Sequence, residues 1–226
     1  HVGGIVGMGT GTSSAPVTIT GCANYGTVTA SNCNQGGRAG GIAGIFDLAG
    51  DYATISGCCN AADIKAYQYA GGIVGGQFAN NVTISACYNT GNVTGTSSGK
   101  TYAGGITGKS CGPIVNCYNT GSIVSTATSG NIPTRFAGIA GETQNSTATI
   151  TNCYSIGQVL YASTIGTSGN IVGSQAVSPV NCYYLSATAL PGAGDSSTTT
   201  ARTEEELQGP AMPAALGSAF AYDSNG

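Results

Sequence analysis

The chain predicts an all-β parallel β-solenoid of about six coils, ending in a short, partly helical tail. Three observations predict it. A Gly-rich apolar block recurs six times: Gly3-Gly-Ile-Val-Gly7, Gly40-Gly-Ile-Ala-Gly44, Gly71-Gly-Ile-Val-Gly75, Gly104-Gly-Ile-Thr-Gly108, Ala137-Gly-Ile-Ala-Gly141 and Gly169-Asn-Ile-Val-Gly173. Each block is followed by an Ile/Val/Thr run that ends at a cysteine: Cys22, Cys58, Cys87, Cys117, Cys153 or Cys182. The repeats are rich in Ile, Val, Thr and Tyr, and period-two runs such as Val17-Thr-Ile-Thr20 and Val82-Thr-Ile-Ser85 read as strands. A single copy cannot bury its own apolar face, so copies must stack.

The rigid part of the repeat lies just after the cysteine. An aliphatic residue stands six positions on in five copies: Val28, Ile64, Val93, Ile123 and Val159. Thr188 takes that place in the sixth. The stretch between block and cysteine varies in length, as expected of loops that protrude from stacked strands. We expect about three strands per coil, with Gly and Asn at tight corners. The bias of parallel crossovers predicts a right-handed coil. Ile5, Ile42, Ile73, Ile106, Ile139 and Ile171 should form one core column.

Stacking makes equivalent residues neighbours along the axis. The six cysteines should form a thiol column. Their Cβ spacing of about 4.8 Å exceeds the usual disulfide separation. Cys33, Cys59 and Cys111 lie off that column, and Cys33 and Cys59 sit on neighbouring coils where pairing is open. Asn24, Asn60, Asn89 and Asn119 should form an amide ladder at a corner. Tyr88, Tyr118, Tyr154 and Tyr183 should form an outward aromatic row, either stacked for stiffness or offered to sugar rings.

Domain organisation follows the repeat. Residues 1–190 read as the solenoid, and 191–226 as a linker followed by a C-terminal cap or tail. In that tail Thr203 and Glu206 fit a capping box, and 211–216 fits a second short helix. The chain opens at His1-Val-Gly-Gly-Ile inside a repeat, which reads as a fragment or processed form.

Composition narrows the function. Only 7% of residues are charged and the net charge is −3, so nothing suggests a nucleic-acid footprint. No apolar run is long enough to insert in a bilayer as a helix. No Cys-x-x-Cys pair occurs and the only histidine is His1, so neither a metal nor another cofactor is expected. The acids of the coils are Asp47, Asp51, Asp63 and Glu142, and the basic residues are scattered: Arg38, Lys65, Lys100, Lys109, Arg135 and Arg202. By rung spacing Asp47 and Glu142 stand three coils, about 14 Å, apart, too far for a glycosidase pair. No catalytic residue is therefore assigned, and a polysaccharide-active β-helix enzyme is the alternative set against this reading. A second alternative is an ice-binding face. Thr18, Thr54, Thr83 and Thr149 align in one column and Thr20, Ser56, Ser85 and Thr151 in the next. Pro113, Val115 and Val180 break the pattern.

The motif Ala70-Gly-Gly-Ile-Val-Gly75 with Ile84-Ser-Ala-Cys-Tyr-Asn-Thr-Gly-Asn-Val93 resembles the GLUG repeat of bacterial surface proteins. Ile114-Val-Asn-Cys-Tyr-Asn-Thr-Gly121 and Ile150-Thr-Asn-Cys-Tyr154 are similar. Such repeats also accompany the protease domain of immunoglobulin A-cleaving streptococcal metalloproteases. The resemblance implies an extracellular or cell-surface protein of bacteria in which the repeats form a non-catalytic rod or adhesive region. Implied partners are host or bacterial surface glycans or proteins. Self-association through open solenoid ends would make a filament. The His-Glu-x-x-His motif of a metalloprotease is missing from the chain.

Overall fold

A computed structural model describes all residues except 32–35, 98, 127–133, 161–166, 175, 177, 189–197 and 221–226. The described chain is a parallel β-solenoid of five complete turns and part of a sixth. Each full turn carries five short strands rather than three, because several strands are only two residues long. Sheet 1 stacks Val2–Gly3, Arg38–Gly40, Tyr69–Gly71, Thr101–Gly104, Thr134–Ala137 and Thr167–Gly169. Sheet 2 stacks Val6–Met8, Ala43–Phe46, Val74–Gln77, Thr107–Ser110, Ala140–Thr143 and Val172–Ser174. Sheet 3 holds Val17–Thr20, Tyr52–Ser56, Asn81–Ser85, Ile114–Val115 and Ile150–Thr151. Sheet 4 runs from Ala23–Asn24 through Cys59–Asn60, Tyr88–Asn89, Tyr118–Asn119 and Tyr154–Ser155 to Cys182–Leu185. Sheet 5 holds Val28–Ala30, Ile64–Ala66, Val93–Gly95, Ile123–Ser125 and Val159–Leu160.

Sheets 1 and 2 form a hairpin that folds into the coil. The last Gly of each block lets this fold close. A Cβ on Gly75 would lie 2.6 Å from Gly44 O and 2.7 Å from Ala39 O, so the strands of sheets 1 and 2 touch backbone to backbone. The same holds at Gly141, whose added Cβ would lie 2.8 Å from Arg135 O. Only glycine permits such an approach.

The inward hairpin divides the interior in two. One core packs Ile42, Ile73, Ile106, Ile139 and Ile171 against Ile55, Ile84, Ile114, Ile150 and the buried cysteines. The other packs Val28, Ile64, Val93, Ile123 and Val159 against Ala39, Ala70, Ala103 and Phe136. Each fully buried Ile contributes roughly 2 kcal/mol of transfer free energy. Backbone bonds tie the hairpin tips along the axis: Ile42 N–H to Ile73 O at 2.9 Å, Ile73 N–H to Ile106 O at 3.0 Å and Ile106 N–H to Ile139 O at 2.9 Å. Ile5 departs from the expected core column. Its N–H donates to Ile42 O at 3.1 Å, yet the residue is 49% exposed on the first described rung.

The corner between sheets 3 and 4 is a left-handed residue in every coil: Gly21, Gly57, Ala86, Asn116, Asn152 and Asn181, with φ of 61°, 59°, 49°, 56°, 53° and 50°. This is why the residue before the cysteine is Gly or Asn in five of six copies. Ala86 is the exception and bears the strain.

The tail corrects one expectation. Thr199–Arg202, read from sequence as linker, pairs in parallel with Cys182–Leu185 and adds a seventh strand to sheet 4. Thr188 does not continue sheet 5; it ends a 3-10 turn, Ser186–Thr188. Helix α1 (Glu204–Gln208) starts with the expected capping box, Thr203 Oγ1 accepting from Glu206 N–H and Glu206 Oε2 from Thr203 N–H. Helix α2 (Met212–Leu216) buries Met212 and Leu216. Phe220 then returns to the Tyr154 ring, 5.8 Å between centroids.

Candidate functional site

The repeat turns single side chains into columns, and the columns are what the surface offers. The amide column lies inside. Asn24 Nδ2 donates to Asn60 Oδ1 at 2.6 Å, Asn60 to Asn89 at 2.7 Å, Asn89 to Asn119 at 2.7 Å, and Asn119 to Ser155 Oγ at 3.3 Å. Each of the four amides also donates to the carbonyl two residues on, Gly26, Ala62, Gly91 or Gly121. The hairpin tips rest on this ladder. A Cβ on Gly41 would lie 2.5 Å from the Asn60 side chain.

The thiol column runs beside it. Each Sγ donates to the carbonyl two residues back, as Cys87 does to Ser85 O at 3.1 Å and Cys117 to Val115 O at 3.3 Å. All six thiols are free. The hydrogen bond with Cys117 pushes Cys87 up to about 12, and burial pushes Cys153 well above the thiol range. Of the off-column cysteines, Cys59 is half-buried and free and Cys111 is buried and free. Cys33 lies outside the described residues.

Three of the four row members, Tyr88, Tyr118 and Tyr154, form a stack, and Tyr183 shares their register without joining it. Tyr88 and Tyr118 lie 4.9 Å apart at 3°, and Tyr118 and Tyr154 lie 5.0 Å apart at 5°. Each of these rings therefore spends at least one face on a neighbour. Phe220 adds itself at Tyr154, and Arg202 lies 5.6 Å over Tyr183. A hydrogen bond with Cys59 raises Tyr88 to about 12, and burial raises Tyr154 to about 12.

A fourth assembly was not foreseen. Three of the six basic residues expected to be scattered, Arg38, Lys109 and Arg135, gather at the mouth of the hairpin cleft. Arg38, Tyr69, Tyr102 and Arg135 occupy one column of sheet 1 by register. Tyr69 and Tyr102 stack at 5.1 Å, with Arg38 5.3 Å over one ring and Arg135 5.4 Å over the other. Phe78 packs edge-on against Tyr69, and Lys109 lies 4.8 Å over Phe78. Arg38 pairs with Asp47 at 3.2 Å. Glu142 pairs with Arg135 and sits 3.7 Å from Lys109. Burial holds the Lys109 ammonium below the usual lysine range. A sequence signal existed for this group. Arg38, Tyr69, Tyr102 and Arg135 each stand two residues before the first residue of a Gly block, so alignment on the block rather than on the cysteine brings them together.

Chemically this assembly is a cation–aromatic clasp, within which the buried Arg38 Nε has no hydrogen-bond partner among the described residues. Each ring face named is covered by a cation or another ring, and Asp47 and Glu142 are each held by arginine. Asp51 is buried and ties its own loop to the preceding coil, accepting from Leu48 N–H at 3.0 Å and Gly11 N–H at 3.3 Å. Among the described residues, no group of three or more His, Cys, Asp or Glu is placed to hold a metal ion, and no helix is long and apolar enough to cross a membrane.

No protein-family model and no curated protein matches the chain. Among solved structures, the chain is similar to one from Bacteroides ovatus described as a "putative immunoglobulin A1 protease". The two share 22% identity at a TM-score of 0.64, over 94% of this chain and 69% of that one. At that identity the likeness establishes a shared fold: a parallel β-solenoid.

Proposed function

We propose that the chain is a non-catalytic structural and adhesive module, a rod carried on or released from a bacterial cell surface. The observation that carries this reading is the run of like-on-like ladders. Amides, thiols, tyrosines and isoleucines each pair with the same residue type one coil away, which makes a stiff axial element. Both carboxylates of the clasp are paired with its own cations, which favours a fastening role for Asp47 and Glu142 over a reaction. The description of the Bacteroides ovatus structure supports an extracellular setting alongside host immunoglobulin. A peptidase role for this chain has less support, since these residues carry no His-Glu-x-x-His motif.

The test is a turnover panel. The purified chain is incubated with neutral and acidic polysaccharides and with immunoglobulin A, and reducing ends and protein fragments are measured. No release above the buffer blank is expected. Turnover abolished by Asp47→Asn or Glu142→Gln would overturn the reading.

A further inference from the structure

We propose that the outer face of sheet 3 is the adhesive surface, and that its partner is an uncharged, extended polysaccharide lying along the solenoid axis. The proposal rests on the adhesive reading above and names its ligand class and its site. On coils one to three, the register places Thr18, Thr54 and Thr83 in one column and Thr20, Ser56 and Ser85 in the next. In sequence each pair is separated by one buried residue, Ile19, Ile55 or Ile84, so all six side chains point outward.

Like Thr29 and Thr94 on sheet 5, these hydroxyls are used by no described residue, but on sheet 3 they come as paired columns. Thr90, Thr96, Thr101, Thr107 and Thr126 all donate to backbone carbonyls. The six hydroxyls of sheet 3 make no hydrogen bond to any described residue. They form a lattice of two columns by three rungs, with spacings of about 4.8 Å along the axis and about 6.8 Å along each strand. Free hydroxyls both donate and accept, which suits a ligand that is itself a row of hydroxyls.

Charge and shape point the same way. No Asp, Glu, Lys or Arg stands in either column, so a carboxylate or sulfate sugar would find no counter-ion here. The sheet's parallel register repeats the same pair at each rung. An extended sugar chain advances about one pyranose per rung, so successive sugars would meet equivalent hydroxyls on both flanks. Tyr52, 36% exposed, and Asn81 head the second and third rungs and supply a ring and an amide at the edge of the same face. The array stops at coil four, where Pro113 and Val115 replace the pair, so the site spans about three sugars. The tyrosine row is the weaker platform, because three of its four rings are stacked on one another.

The experiment is affinity gel electrophoresis of the whole chain in soluble mixed-linkage β-glucan, xyloglucan or mannan, with polygalacturonate as the charged control. Retardation is expected in at least one neutral gel and not in polygalacturonate. The Thr54→Val, Thr83→Val double variant keeps β-branched shape and strand propensity, and is expected to lose at least tenfold in affinity with unchanged circular dichroism and melting temperature. Thr54→Ser with Thr83→Ser, which keeps the hydroxyls, should retain binding. Undiminished binding by the valine variant would overturn the site while leaving the adhesive reading intact, as would binding lost by Tyr88→Phe alone. Retardation only in polygalacturonate would overturn the neutral-ligand assignment. Absence of binding to every neutral polysaccharide, or inhibition of ice recrystallisation in its place, would overturn the proposal.

Discussion

Asn89 Nδ2 donates to Asn119 Oδ1 at 2.7 Å, and Asn89 Oδ1 accepts from Asn60 at 2.7 Å, so one side chain joins three coils. The same amide donates to Gly91 O at 2.7 Å and is fully buried under the hairpin tip at Gly72. Asn89→Ala leaves the Asn60 donor, the Asn119 acceptor and the Gly91 carbonyl without this partner. We expect a loss of about 2–4 kcal/mol, read as a lower urea midpoint at constant slope. A loss near zero would mean the ladder contributes nothing net.

The backbone seam makes a harsher demand. Gly75→Ala places a methyl within 2.7 Å of two carbonyl oxygens that belong to different strands. Neither can yield without separating sheets 1 and 2. The variant should be destabilised by about 3 kcal/mol or more, or fail to accumulate as folded protein. Gly50→Ala, with open space around its Cβ, is the control that should behave as the parent.

Ala86 holds the left-handed corner at φ 49°, where the other coils place Gly or Asn. Ala86→Gly should stabilise the chain by about 0.5–1 kcal/mol, the relief of backbone strain exceeding the added freedom of the unfolded chain. A raised melting temperature checks this. A lowered one would show that the Ala86 methyl packs usefully.

The thiol column sets an alkaline limit. Cys58 and Cys87 are raised chiefly by hydrogen bonding along the column and Cys153 by burial, Cys87 to about 12, from an ordinary value of 9.0. Folded Cys58, Cys87 and Cys153 thus hold protons that they release on unfolding, whereas Cys117, where hydrogen bonds with Cys153 and Cys87 outweigh burial, is lowered and offsets part of this. The contribution of the raised thiols is complete below pH 9.0 and declines as pH rises towards about 12. Urea midpoints should fall over that window, and Cys87→Ser should flatten the fall. Iodoacetamide at pH 8 should modify half-buried Cys59 well before the buried column thiols. Equal labelling rates would contradict the column's burial.

Much of this was legible in the residues. The six-residue step from cysteine to aliphatic predicts register, and the structure pairs Ile64 with Val93 and Val28 accordingly. Thr203 and Glu206 announce their capping box because that motif is local. The inward hairpin was not legible. A Gly–Gly pair reports that a backbone approaches something closely, but it carries no side chain to say what. Two-residue strands such as Cys59–Asn60 are too short to show alternation, so the coil read as three strands instead of five. The clasp shows only when the copies are aligned on the Gly block, and alignment on the cysteine conceals it. Arg38 and Arg135 are separated by 97 positions in sequence and meet only through two stacked tyrosines.

The central structural claim is that the Gly-Gly-Ile blocks fold inward and rest on the asparagine ladder. Native-state hydrogen exchange followed by amide-resolved NMR tests it most directly. The amides of Ile42, Ile73 and Ile106, each bonded along the axis beneath a covered hairpin, should fall in the slowest-exchanging class, opening only with global unfolding. Exchange of these three amides as fast as that of exposed loop residues such as Gly50 would place the hairpin at the surface and contradict the account.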